Sequence, residues 1–129
     1  MSLQTFDEVI PLAIRITADD SYSTVLFGMG PIPAYAHRID YVYVTNNDTI
    51  DHVVDVHYVV LSNPTLLGSC NVPAGSGLAG VPPVDVLAGV LGAPGLGLAF
   101  AAASNIDLSV EVAIVPTFTM TVVALGGYF

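Results

Sequence analysis

A chain of 129 residues has the length of one ordinary domain, which excludes a multidomain enzyme with separate cofactor and substrate lobes. The composition is 53% hydrophobic and 10% charged with no lysine, against about 25% charged in an average soluble domain. Arg15 and Arg38 are the only cations against eleven acids, a net charge of −9, which excludes a basic patch for nucleic acid or for an anionic membrane surface.

The chain opens with Asp7 and Glu8 and no basic or apolar leader, so Met1 to Val9 does not read as a secretory signal and cytosolic synthesis is expected. Leu12, Ile14 and Ile16, then Thr24 to Phe27, read as short strands. Residues 1–30 are expected to hold an N-terminal arm together with these first strands. Ile39, Tyr41 and Tyr43 alternate with Asp40, Val42 and Val44. After Asn46-Asn47-Asp48, alternation resumes from His52 to Leu61 with Val54, Val56, Tyr58 and Val60 on one face, which predicts a hairpin. Val84 to Val90 reads either as a strand or as a short helix ending at Gly92.

Val86 to Ile106 holds no charge and is long enough to span a bilayer. It contains Gly89, Gly92, Pro94, Gly95 and Gly97, follows Pro82-Pro83 and lacks flanking cations, so a pair of Ala- and Gly-rich buried strands is the better account. Leu96 to Ala103 and Ile106 to Ile114 alternate around the turn pair Ser104-Asn105, a second predicted hairpin. Phe118, Met120, Val122 and Ala124 form the last strand, and Gly126-Gly127-Tyr128-Phe129 is expected to be a tail that docks on a neighbouring subunit or on the chain's own core.

The total is about eight strands, with prolines and glycines between them and no sustained helical period. The chain is therefore expected to be all-β, a single domain over 1–129 with the strand spacing of sandwiches and barrels.

Few residues invite chemistry. Gly75-Ser76-Gly77-Leu78-Ala79-Gly80 has the letters of a dinucleotide fingerprint, but Val81-Pro82-Pro83 follows where a helix would have to start, so it reads as a loop. His37, His52 and His57 would need to converge with Asp51 or Asp55 to hold a metal or act as a base. His52 and His57 fall on opposite strand faces, whereas Asp55 and His57 share one and could pair. Asn46 to Asp51 is rich in oxygen ligands that would suit calcium, and equally in the residues of ordinary turns. Cys70 has no partner for an intramolecular disulfide and no neighbouring base, so it reads as a packed side chain. Tyr41, Tyr43 and Tyr58 could form a sugar-binding platform, but their strand faces read as packing surface. No catalytic, cofactor or metal residues are assigned, and no enzyme activity is expected.

The run Ala36-His37-Arg38-Ile39-Asp40-Tyr41-Val42-Tyr43-Val44-Thr45-Asn46-Asn47 resembles small β-sandwich virion proteins of tailed bacteriophages. So do the turn Asn71-Val72-Pro73-Ala74-Gly75-Ser76-Gly77, the segment Val84-Asp85-Val86-Leu87 and the segment from Gly95 to Ser104. The resemblance covers about residues 36 to 115 and implies an antiparallel β-sandwich, jelly-roll-like, that works as a capsid decoration (cement) protein at the capsid surface, bound to the major capsid protein or another virion protein. A neck, tail or fibre component, or a receptor- or carbohydrate-binding module, is the alternative. The weakly charged surface leads us to expect a homo-oligomer, a trimer or dimer.

Overall fold

The computed structural model describes residues 8–16, 23–27, 37–60, 63–100, 106–112 and 120–128. Nine strands and one helix follow in the order β1 (Glu8–Ile16), β2 (Ser23–Phe27), β3 (His37–Asn46), β4 (His52–Val60), β5 (Asn63–Val72), β6 (Val84–Asp85), α1 (Val86–Leu91), β7 (Leu98–Phe100), β8 (Ile106–Val112) and β9 (Met120–Tyr128). They form two antiparallel sheets. One has the order β1-β9-β3-β6, with β7 also pairing β3; the other has the order β2-β8-β4-β5. Counting β6 and β7 as one interrupted position beside β3, this is the alternation of a jelly roll, in which successive strands cross between sheets and only β4 and β5 are both consecutive and adjacent. The expected all-β sandwich is what the chain adopts.

The core follows from the period-2 patterns. Val42 and Val44 of β3 and Met120, Val122 and Ala124 of β9 line the inner face of one sheet, and Val54 and Val56 of β4 with Leu108, Val110 and Val112 of β8 line the other. Each of these valine, leucine and methionine side chains, taken out of water, contributes about 1.5–3 kcal/mol. The side between β3 and β5 is closed by α1, which buries Val86 and Leu87. Asp85 caps its N-terminus by accepting from the Ala88 N–H at 3.2 Å, and Gly92 ends it in the left-handed region at φ 89°.

Two bulges shape the sheets. The register between β3 and β9 shifts between Ile39 and Tyr41, which makes Asp40 the extra residue. There β3 presses onto β9 so closely that a Cβ at Gly126 would collide with the Arg38 carbonyl oxygen. The second shift, between Val56 and His57, leaves Leu67 as the extra residue of β5.

Several expectations are corrected. β3 and β4 are not a hairpin: they pair into different sheets, and their valines face each other across the core. The segments around 96–103 and 106–114 are not a hairpin either, because β7 joins β3 while β8 lies between β2 and β4. Both errors have one cause, since inward alternation is the same for strands side by side and strands face to face. In place of two buried strands over 86–106 there is a six-residue helix and a three-residue strand. No helix of the described residues is long and apolar enough to cross a membrane. Gly126, Gly127 and Tyr128 belong to β9 rather than to a tail, paired on both sides, while Phe129 lies outside the described residues. β5 has no counterpart among the predicted elements, because Pro64, Gly68 and the bulge at Leu67 erase its alternation.

Candidate functional site

The most ordered polar group sits at the end of the sandwich where β3 leaves one sheet and β4 enters the other. Asn46 is fully buried and its amide nitrogen donates to the carbonyls of Ile50 at 2.9 Å and Val72 at 3.1 Å, while its side-chain oxygen accepts from the Asp48 N–H at 2.9 Å. Its own backbone exchanges bonds with the next loop, donating to the Ser76 carbonyl and accepting from the Gly75 N–H, both at 2.9 Å. Asp48 caps Thr49 through the backbone N–H at 2.7 Å and holds His52 Nε2 at 2.8 Å. Both partners of that contact are buried, with side-chain exposures of 1% and 2%. Asp51 reaches across to accept from the Ala74 N–H at 2.9 Å.

The side-chain oxygens of Asn46, Asp48 and Asp51 are thus turned onto the protein's own N–H groups, the ordinary use of Asn and Asp in turns. Among the described residues no group of three or more His, Cys, Asp or Glu side chains is placed to hold a metal ion. The Gly75 to Gly80 segment is a loop, with glycines at φ 79°, 82° and 82° and Ala79 also left-handed at 50°. Ser76 is buried, and its hydroxyl donates to the Pro73 carbonyl at 2.6 Å.

A second polar group lies on the outer face of the four-stranded sheet. Asp55 stands opposite Glu111, and His57 opposite Ser109. The expected Asp55–His57 pair gives way to two others: the Ser69 hydroxyl donates to Asp55 Oδ1 at 2.5 Å, and His57 Nδ1 lies 3.7 Å from Glu111 Oε2. That separation is outside hydrogen-bond range, and Nδ1 is buried with no partner among the described residues. Ser109 is only 1% exposed and turns its hydroxyl toward Glu111 at 3.5 Å rather than toward the imidazole. Serine, histidine and glutamate are gathered here without the nucleophile-to-base contact that acyl transfer requires. His52 and His57 do face opposite ways, one into the core and one outward. His37 pairs through its backbone with Phe100 and Tyr128, and its side chain lies outside the described residues.

On the outer face of the other sheet Tyr41 and Tyr43 stack with ring centroids 5.7 Å apart and planes 12° from parallel, so one face of each ring is turned to the other. Beside them Arg38 Nε donates to Asp40 Oδ1 at 2.6 Å. The Tyr43 hydroxyl is held protonated above its usual range by desolvation, then by Asp85 and Tyr41. The Cys70 thiol is pushed up in the same way, first by burial and then by Asp85. A thiol so perturbed is a poor nucleophile at neutral pH.

What the molecule does present is apolar. Ile50, Val53, Val60, Leu66, Leu67, Leu78, Val81 and Leu96 are all exposed, led by Leu96 at 61% and Leu66 at 56%. Five of the eight fall between Tyr58 and Val84, a stretch with no charged side chain. The cross-strand partners Glu111 and Ser69 were missed by sequence reasoning, because only the register of β8 and β5 against β4 brings them to His57 and Asp55.

No family model matches the chain, and no curated protein is similar to it. Among solved structures, the chain aligns with one described as the structure of infectious bursal disease virus Gx strain, at 14% identity and a TM-score of 0.21. The alignment covers 98% of this chain and 42% of that one, so the chain spans about two-fifths of the length of the structure it matches.

Proposed function

We propose that this chain is a structural virion protein, a capsid decoration (cement) protein that binds and stabilises the head shell of a bacteriophage. The observation that carries the reading is the combination of a jelly-roll sandwich with a surface rich in large apolar side chains and poor in charge. A lone soluble domain gains nothing from exposing leucines and valines, whereas a protein whose surface is covered by other subunits loses water from them on assembly. Many identical sites on a symmetric shell would make modest affinity at each site sufficient. The polar groups described above fit this role as structural parts: one pins the loops at an end of the sandwich, and the other joins neighbouring strands.

Quantitative mass spectrometry of purified particles tests the reading. Digestion must cut at acidic or aromatic residues, because trypsin has only Arg15 and Arg38 to cleave. A copy number comparable with the shell protein is expected. A few copies per particle would reassign the chain to the neck, tail or fibre, and absence from all particles would overturn the reading.

A further inference from the structure

We propose that the open edge of β5 is a seam for self-association, along which a second copy of this chain adds its own β5 in antiparallel register. The proposal deepens the virion reading by assigning the self-contact, and rests on that reading only in its expectation of an oligomer. β5 is the last strand of its sheet, ten residues long, and among the described residues no strand pairs with its second side. An edge of this kind offers a row of unpaired backbone donors and acceptors. It is also held in place from within: α1 lies against its inner face, where a Cβ on Gly68 would come within 3.0 Å of the Val90 side chain and one on Gly89 within 2.8 Å of the Cys70 sulfur. The seam is therefore rigid before it is used, which lowers the cost of pairing.

Charge identifies the occupant. Every copy carries a net charge of −9, so two copies meet with least repulsion through a surface without acids. β5 has none, and it lies in the middle of the charge-free stretch from Tyr58 to Val84. The adjoining outer face would instead set Asp55 and Glu111 of both copies together. A cationic partner would be drawn to those acids and would find nothing on β5 to recognise. Pro64 and the bulge at Leu67 interrupt the N-terminal half of the edge, which confines pairing to Gly68–Val72. A two-fold axis at Cys70 then sets Asn71 opposite Ser69 of the second copy and brings the exposed Leu66 and Leu67 against Ala74 and Pro73 of that copy. This is the self-complementary contact that an isologous dimer needs.

Sedimentation equilibrium of the full chain tests the seam, with Asn71→Asp placing acids across the axis and Thr121→Asp as a control on the outer face of the other sheet. The wild type is expected at twice the 13.4 kDa chain mass. Asn71→Asp should weaken association about tenfold or more with an unchanged circular dichroism spectrum, and Thr121→Asp should leave it intact. Hydrogen exchange of the wild type across a dilution series needs no variant: those amides of residues 68–72 that point away from β4 should lose protection as the dimer dissociates. A monomeric wild type overturns the seam whatever the particle copy number shows. An oligomer indifferent to Asn71→Asp, or one whose 68–72 amides exchange equally at all concentrations, overturns it and leaves the virion reading standing.

Discussion

At Gly126 and at the Asp48–His52 pair a single substitution acts directly on how the sandwich closes. At Gly126 the bulge of β3 occupies the space a Cβ would need, with backbone rather than a movable side chain as the obstacle. Gly126→Ala is expected to cost about 3 kcal/mol, read as a lowered midpoint in urea unfolding, because the two strands must separate to admit the methyl group. The Asp48–His52 contact fails differently. Asp48→Ala would leave the buried His52 ring and the Thr49 N–H without their acceptor, and each buried polar group left unsatisfied costs about 1–3 kcal/mol. Asp48→Asn keeps one oxygen for the Thr49 N–H but sets an amide nitrogen where Oδ2 faced His52, so it should recover only part of that loss in the same measurement.

At the scale of elements, the helix between β6 and β7 depends on Asp85. Its carboxylate caps α1 and lies 3.4 Å from the Val42 N–H, and its charge also raises the proton affinity of Cys70 and Tyr43. Asp85→Ala should therefore destabilise the protein by about 1 kcal/mol in thermal unfolding and at the same time bring the Cys70 thiol down toward its ordinary range. Faster alkylation of Cys70 at pH 8 in the variant is the check, and an unchanged rate would mean that burial alone sets the thiol. Both raised groups hold their protons more tightly in the folded state than in the unfolded chain. Their contribution is thus complete below the ordinary thiol and phenol range and is lost as the pH rises through the folded values, so stability should decline in alkali. Tyr43→Phe should flatten the phenol part of that decline in unfolding curves taken from neutral to alkaline pH.

For the whole molecule the governing quantity is a net charge of −9 on a domain with exposed leucines and valines. Repulsion opposes association at low salt and is screened over about 8–10 Å near physiological ionic strength. Self-association should consequently strengthen as salt is raised from low millimolar to physiological concentration, as measured by sedimentation. Contacts built mainly on opposite charges would weaken over the same range.

The alternation of Ile39 to Val44, His52 to Val60 and Ile106 to Val112 determined by itself that the chain is all-β with one face of each strand inward, because a period of two suits only a half-buried strand. Composition likewise determined the sign and sparseness of the surface charge. Which strands lie side by side was not legible: β3 and β4 pack face to face across the core, and β7 and β8 part into different sheets, because hydrogen-bond partners are chosen by the global closure of two sheets. The candidate sites divide in the same way. The opposed directions of His52 and His57 follow from strand parity, whereas the partners Asp48, Ser69 and Glu111 depend on loops and registers fixed only in three dimensions. β5 lay furthest from view, since a proline, a glycine and a bulge hide an edge strand's pattern while backbone pairing to β4 and the packing of α1 still hold it in place.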